Sequence, residues 1–279
     1  MKFSASAPVK IIVIGAGGTG GYAIPQIYKI ACVTDRECRI IICDGDIVEE
    51  KNLIRQNFIA DDIGKNKAQV LAERYSAAYG MECEYIPEYI ESEHALLTLC
   101  YPDFVKQPYS YPPIPESQKV ILVGCVDNNR SRQICHKVFS KINNLIYIDS
   151  GNESENGQVV CGVKQSGRTT YKPVGSVYPD ILNDEDKLPT ELSCAERAVS
   201  APQSITANLM AAMFIVCYLY NLLMKGEIAT RYVTFSSRLM NARAEVVKKR
   251  KRRKKEVKNI ETKSTECHIQ QGCAQKKRK

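Results

Sequence analysis

Residues 13–27 of this chain read VIGAGGTGGYAIPQI, and they indicate the class of fold more strongly than any other segment. This segment begins as an aliphatic run, contains five glycines within seven residues, and continues with residues that can form a helix. Gly15, Gly17 and Gly20 fit the pattern G-x-G-x-x-G between a strand and a helix. This pattern gives a tight turn, close approach of the backbone to a phosphate, and amides at a helix N-terminus. The context predicts a nucleotide phosphate site, and the pattern alone leaves NAD, FAD and ATP open.

Continuous aliphatic runs elsewhere in the chain predict the rest of a parallel sheet. Strands are expected at 9–15, 38–46, 119–128 and 144–151, with helices at 20–33, 65–79 and 131–142 between them. Unbroken apolar strands are typical of a sheet that is covered on both faces. The alternation of strands and helices predicts an α/β fold, a doubly wound Rossmann-like and mostly parallel sheet with helices on both faces.

The second half of the chain is less regular. Residues 101–118 contain five prolines and predict an irregular surface excursion, and the segment from Lys164 to Thr190 shows no period and predicts a long crossover loop. A helix from about Pro202 to Lys225 and a strand at 230–237 are expected after it. The apolar run from Leu209 to Met224 is shorter than the ~20 residues of a membrane span, so we expect a buried helix and no membrane association.

The positive charge of the chain belongs to its C-terminal end. The formal net charge is +8, yet residues 248–279 hold 14 Lys and Arg and 3 Glu, which leaves 25 basic and 28 acidic side chains in residues 1–247. We therefore predict a folded domain at 1–247 and a basic, disordered tail at 248–279. The tail is either a solubilising extension or a salt-dependent site for nucleic acid or an acidic partner.

Twelve cysteines are scattered without any C-x-x-C pair. In a chain of this size they predict reduced thiols in a cytoplasmic protein and no structural zinc site. No secretory signal peptide is evident near the first strand.

The charged residues after the second strand narrow the choice of nucleotide. Asp44 stands where a carboxylate can accept hydrogen bonds from ribose hydroxyls. Arg55 and Lys67 supply two cations. The two phosphates of a dinucleotide are already bound by the glycine turn and do not need them, whereas the more highly charged triphosphate of ATP does. Asp127 ends the third predicted strand and suits Mg²⁺, which favours one or two carboxylates plus phosphate oxygens.

Taken in order, the motifs GAGGTG, DGD, NLIRQ, GKNK, VDNN, SGNESENGQV and SCAERAVSAP resemble the ThiF/MoeB/HesA superfamily of ubiquitin-activating-enzyme-like adenylyltransferases, and most closely its short PRTRC-type subgroup. The resemblance covers residues 9–237. It implies ATP and Mg²⁺ as cofactors, a homodimer, and a small ubiquitin-like or sulfur-carrier protein whose C-terminal glycine carboxylate is adenylated. The implied nucleotide-binding residues are Gly15, Gly17, Gly18, Gly20, Asp44, Asp46, Asn52, Arg55, Gln56, Lys67, Asp127 and Asn128. The implied catalytic residues are Arg55, Lys67, Asp127 and Cys194, with Asp127 as the Mg²⁺ ligand.

Two features bear on how far the resemblance extends. Cys194 matches the position where many members carry a cysteine that accepts the acyl group as a thioester, although one thiol among twelve can also be conserved by packing alone. Relatives take an arginine finger from the dimer mate, whereas the eight residues before the first strand contain no arginine. Arg130, Arg132 or a partner would have to replace it, or activity would be weak.

Two alternatives stay open at this stage. One is an NAD(P)-dependent oxidoreductase of ordinary Rossmann type, which would bind NADH and not ATP. The other is a nucleotide-binding scaffold that has lost catalysis and recruits partners through its basic tail.

Overall fold

The fold is an α/β sandwich around one mixed sheet. This computed structural model describes residues 7–82, 84–103, 117–191 and 203–247. Within them the strands are β1 (Val9–Ile14), β2 (Cys38–Cys43), β3 (Glu84–Ile86), β4 (Lys119–Gly124), β5 (Leu145–Asn152), β6 (Asn156–Gln165), β7 (Arg168–Tyr171), β8 (Thr230–Ser236) and β9 (Asn241–Val246). The α-helices are α1 (Gly18–Val33), α2 (Lys67–Tyr79), α3 (Glu93–Leu99), α4 (Asn129–Lys141), α5 (Val174–Val177) and α6 (Ile205–Lys225).

The strand order β3-β2-β1-β4-β5-β6-β8-β9 divides the sheet into two halves, and β7 pairs with β6. Strands β3, β2, β1, β4 and β5 run parallel, whereas every pairing from β5 through β9 is antiparallel. The predicted α/β class is confirmed. The sheet is mixed rather than mostly parallel, because β6 returns beside β5 through a short turn and β8, which follows α6, pairs antiparallel with β6.

Each face of the sheet carries its own hydrophobic core. Alternate residues of β1 point to opposite sides, so Ile11 packs with α1, α2 and α6 while Ile12 packs with α3 and α4. Both side chains are fully buried. The double covering explains why the parallel strands are continuously aliphatic.

The segment after Cys161 is more ordered than the sequence predicts. Strands β6 and β7 form a hairpin closed by Ser166 and Gly167, which have positive φ angles of 48° and 74°. Positive φ at both central residues is typical of the tight hairpin turn that matches the twist of the strands. The prediction of a loop without secondary structure is therefore wrong for residues 164–171, where β6 ends and the four residues of β7 are too few to show a clear period.

Helix α6 is 21 residues long and apolar enough by length and composition to cross a membrane. Half of its most apolar window is buried inside the domain, where the helix packs against α1, β5 and β6. Its Ser204 N-cap accepts a hydrogen bond from Ala207 N at 3.1 Å, and it ends at Gly226 with φ of 66°. This packing agrees with the predicted buried helix.

Candidate nucleotide site

The glycine loop, which we define as residues 15–20, joins β1 to α1 at the carboxyl edge of the parallel strands. Gly15 has φ of 95°, and a Cβ there would lie 2.6 Å from the carbonyl oxygen of Cys125. A Cβ on Gly20 would lie 2.0 Å from the carbonyl oxygen of Gly15. The turn therefore requires glycine at these two positions, and it leaves the first amides of a 16-residue helix at the edge where open α/β sheets bind ligands.

Asp44 is hydrogen-bonded directly to the glycine loop. Its two carboxylate oxygens accept hydrogen bonds from Ala16 N at 2.6 Å and Asp46 N at 2.8 Å. Burial raises the pKa of Asp44 to about 6, against the opposing effects of the Lys67 charge and the two amides. The structure thus places Asp44 beside the glycine loop, and its contact with ribose stays a prediction.

Lys67 and Asp46 form the second part of the site. The Lys67 ammonium lies 2.9 Å from a carboxylate oxygen of Asp46, and Tyr89 donates its hydroxyl hydrogen to the other oxygen. The Asn66 side chain donates to the carbonyl oxygens of Asp44 and Asp46, at 2.8 and 3.1 Å. Lys67 is buried, so its cation is held at the first turn of α2 by this ion pair.

Gln56 approaches the glycine loop from the segment between β2 and α2. Its carboxamide lies 3.7 Å from the position of a Cβ on Gly17, and its Oε1 is buried without a hydrogen-bond partner among the described residues. A buried acceptor without a partner is unfavourable by about 1–3 kcal/mol, so a ligand donor or an ordered water at this position would stabilise it. Asn52 is buried as well, but its Oδ1 accepts from Glu49 N at 2.8 Å and holds a local turn.

Asp127 and Asn128 follow β4, which pairs with β1 in the sheet. Asp127 is exposed, and within the described ranges no hydrogen bond or ion pair engages it. Asn128 is the N-cap of α4 and accepts a hydrogen bond from Ser131 N at 2.8 Å. These two residues stand at the edge of the sheet that holds the glycine loop, and their contact with a nucleotide stays a prediction.

Arg132 has a structural position that the sequence did not reveal. It is buried, and its guanidinium donates to a carboxylate oxygen of Asp149 at 3.2 Å, to Val126 O at 2.6 Å and to Ser150 O at 3.1 Å. Tyr147 donates to the other oxygen of Asp149 at 2.6 Å. The suggestion that Arg132 replaces an arginine finger is therefore wrong, because its donors already join β5 to the loop after β4.

The structure brings further polar residues to the site, which no sequence motif had indicated. Thr19, Asn152, Gln203 and Asn208 connect the glycine loop to Arg55, whose guanidinium donates to Gln203 Oε1 at 3.2 Å. Asn208 is a polar residue in a strongly apolar helix, and this contrast is the feature of the sequence that could have indicated a buried polar contact. Cys194 and the C-terminal tail from residue 248 onward lie outside the described residues.

A metal centre made of protein side chains alone is not seen within the described ranges, since no three His, Cys, Asp or Glu residues gather there. The exposed carboxylate of Asp127 nevertheless suits a cation that takes most of its ligands from phosphate oxygens and water.

A family profile, that of the ThiF family, matches residues 5–259. The chain belongs to the ThiF family. This confirms the resemblance, while the PRTRC subgroup stays a prediction. Membership in the ThiF family also favours an adenylyltransferase over a dinucleotide-dependent oxidoreductase.

Solved structures similar to this ThiF-family chain share its fold. The crystal structure of PaaA superposes with a TM-score of 0.57 at 17% identity, covering 85% of this chain and 64% of PaaA. The crystal structure of E. coli MccB with ATP superposes with a TM-score of 0.53 at 18% identity, covering 85% of this chain and 62% of MccB. The structure of the microcin C7 biosynthetic enzyme MccB with N-formylated MccA superposes with a TM-score of 0.56 at 18% identity, covering 85% of this chain and 64% of MccB. The chain thus spans under two thirds of the length of these proteins, and no curated protein matches its sequence.

Proposed function

We propose that this protein is an ATP-dependent adenylyltransferase that activates the C-terminal carboxylate of a small ubiquitin-like or sulfur-carrier protein. The observation that carries the proposal is the attachment of Asp44 to the glycine loop, with Ala16 N donating to its carboxylate at 2.6 Å. Membership in the ThiF family and the ATP and MccA complexes of MccB support it.

The residues of the site fit a nucleoside triphosphate. The N-terminal amides of α1 suit phosphate oxygens, Asp44 suits the ribose, and Lys67 with Arg55 supplies positive charge. Gln56 carries a buried acceptor that a ligand donor would satisfy. Asp127 would hold Mg²⁺, which neutralises charge on the phosphates when bound.

The proposed step is a displacement at phosphorus. A carboxylate oxygen of the carrier protein bonds to the α-phosphorus, and the bond from that phosphorus to the oxygen bridging to the β-phosphate breaks. Pyrophosphate leaves with the electron pair, and the carrier is left as an acyl-adenylate. Positioning and stabilisation of the charge on the leaving group are then the main tasks of the protein, and the cations of Arg55 and Lys67 are suited to the second task.

A later thioester is proposed for Cys194. The thiolate of Cys194 would attack the acyl carbon and release AMP, which requires an exposed cysteine with a lowered pKa. A carrier adduct that is cleaved by thiols and is lost in Cys194→Ala, while adenylation continues, is the expected result. Homodimer formation and binding of nucleic acid by the tail stay predictions.

ATP–pyrophosphate exchange tests the function. The assay uses wild type, Asp127→Ala and the matched control Asp35→Ala, each with and without small glycine-terminated proteins encoded by neighbouring genes. Asp35 is an exposed aspartate in the turn after α1, at the opposite edge of the sheet. We expect exchange that depends on one carrier, survives in Asp35→Ala and is lost in Asp127→Ala. ATP binding without exchange, whichever carrier is supplied, would instead favour the scaffold.

A further inference from the structure

A continuous polar network joins the glycine loop to Arg55. Thr19, in the first turn of α1, donates its hydroxyl hydrogen to Asn152 Oδ1 at 3.1 Å, and Asn152 Nδ2 donates to Asn208 Oδ1 at 2.8 Å. Gln203 Nε2 donates to the carbonyl oxygen of Asn152 at 3.3 Å, and Gln203 Oε1 accepts from the Arg55 guanidinium at 3.2 Å. Four segments that are far apart in sequence are linked in this way.

The network is anchored in the core at its inner end. Asn208 is fully buried and Thr19 is nearly so. The carboxamide of Asn208 also packs against the backbone of Gly18, where a Cβ would lie only 2.4 Å from its Nδ2. Asn152, bonded to Asn208, therefore presents its carbonyl oxygen to Gln203 from a fixed position.

The orientation of the Gln203 side chain follows from its two partners. A guanidinium can only donate and a carbonyl oxygen can only accept, so Oε1 must face Arg55 and Nε2 must face Asn152. Reversal of the amide would lose both hydrogen bonds. Gln203 consequently ties a long and otherwise flexible arginine side chain to the glycine loop.

We propose that Gln203 is a positioning residue that preorganises Arg55 for the triphosphate. The inference rests on the proposed function in one respect, that Arg55 contacts ATP. Gln203 occupies one of the five guanidinium N–H donors and leaves the other four for phosphate oxygens. An arginine that is already held loses less conformational entropy when ATP binds, so the bond between Gln203 and Arg55 is retained in the complex and strengthens binding.

Calorimetric titration of the full chain with ATP tests this proposal. Gln203→Met keeps the length of the side chain and removes both hydrogen bonds, and Gln26→Met makes the same change at an exposed position on α1. We expect Gln203→Met to weaken ATP binding about 3- to 10-fold and Gln26→Met to leave it unchanged. Gln203→Glu places a carboxylate against Arg55 and next to the triphosphate, so binding should weaken further. Tighter ATP binding by Gln203→Met would overturn the proposal, because it would mean that Gln203 withholds Arg55 from the ligand.

A double-mutant cycle separates positioning from a general effect on folding. Arg55→Met should weaken ATP binding strongly, and Gln203→Met should then change it less than 2-fold in the Arg55→Met background. An equal loss in both backgrounds would show that Gln203 acts on the fold and would overturn the inference. Unchanged ATP affinity in Gln203→Met, beside a loss in Arg55→Met, would overturn it too and leave the proposed function intact. ATP binding that follows the expected cycle without any pyrophosphate exchange would instead refute the proposed function alone.

Discussion

Gly18 offers a sharp test of the packing beneath the glycine loop. Its φ does not lie in the left-handed region, so the backbone itself accepts alanine. A new Cβ would, however, lie 2.4 Å from Asn208 Nδ2 and 2.7 Å from Asn208 Cγ. Asn208 is fully buried and bonded to Asn152 at 2.8 Å, so it cannot move aside without breaking that hydrogen bond.

The magnitude follows from these contacts. Displacing Asn208 breaks its hydrogen bond with Asn152 and leaves the buried Oδ1 of Asn208 without that donor, which destabilises the fold by about 1–3 kcal/mol. Replacing glycine by alanine in a helix returns at most about 0.5–1 kcal/mol. We therefore expect Gly18→Ala to lower the free energy of unfolding by about 1–2 kcal/mol.

The same substitution in an Asn208→Ala background removes the clash. There the helix preference of alanine is the remaining effect, so Gly18→Ala should be neutral or stabilising by up to about 1 kcal/mol. Urea denaturation of the wild type, the two single variants and the double variant at pH 7 measures all four free energies. An equal loss of stability in both backgrounds would refute the reasoning, because the effect would then not pass through Asn208.

Three further predictions concern the site and its support. Gly20→Ala should destabilise the fold by more than about 3 kcal/mol in urea denaturation, since its Cβ would lie 2.0 Å from the backbone oxygen of Gly15, which no side-chain movement can relieve. Arg132→Met should lower the free energy of unfolding by about 3–5 kcal/mol at pH 7, because it leaves the buried carboxylate of Asp149 without its cation; a loss below about 1 kcal/mol would contradict this ion pair. The pKa of Asp44 is raised to about 6, so the folded state binds more protons than the unfolded state and the ligand-free protein should gain stability as the pH falls from about 6 to 4. ATP affinity should decline over the same range if ribose needs the carboxylate, and Asp44→Asn should flatten both profiles, measured by calorimetry and urea denaturation across pH.

The parallel half of the fold and the inner part of the site could be predicted from the sequence. Continuous aliphatic runs require burial on both faces, and the carboxyl ends of parallel strands meet at one edge, so Asp44 had to come close to the glycine loop. The structure adds the 2.6 Å hydrogen bond from Ala16 N that fixes the contact. Both signals are local, since each depends on residues within one strand and the turn that follows it.

Other features of this protein depend on how elements that are distant in sequence pack against each other. Among the antiparallel strands after β5, the sequence predicted β8 at 230–237, whereas β6, β7 and β9 were not predicted, because their pairing depends on turns and on neighbouring strands. The sequence around Arg132 gives no sign that its guanidinium is paired, because its partners, Asp149 and Ser150, lie on the neighbouring strand β5. The link from Arg55 to Gln203 spans 148 residues and exists because α6 packs against α1 and β5. Sequence periodicity indicates which face of an element is buried. The hydrogen-bond partner of a buried polar group, in contrast, belongs to a neighbouring element, and that neighbour is known only once the chain has folded.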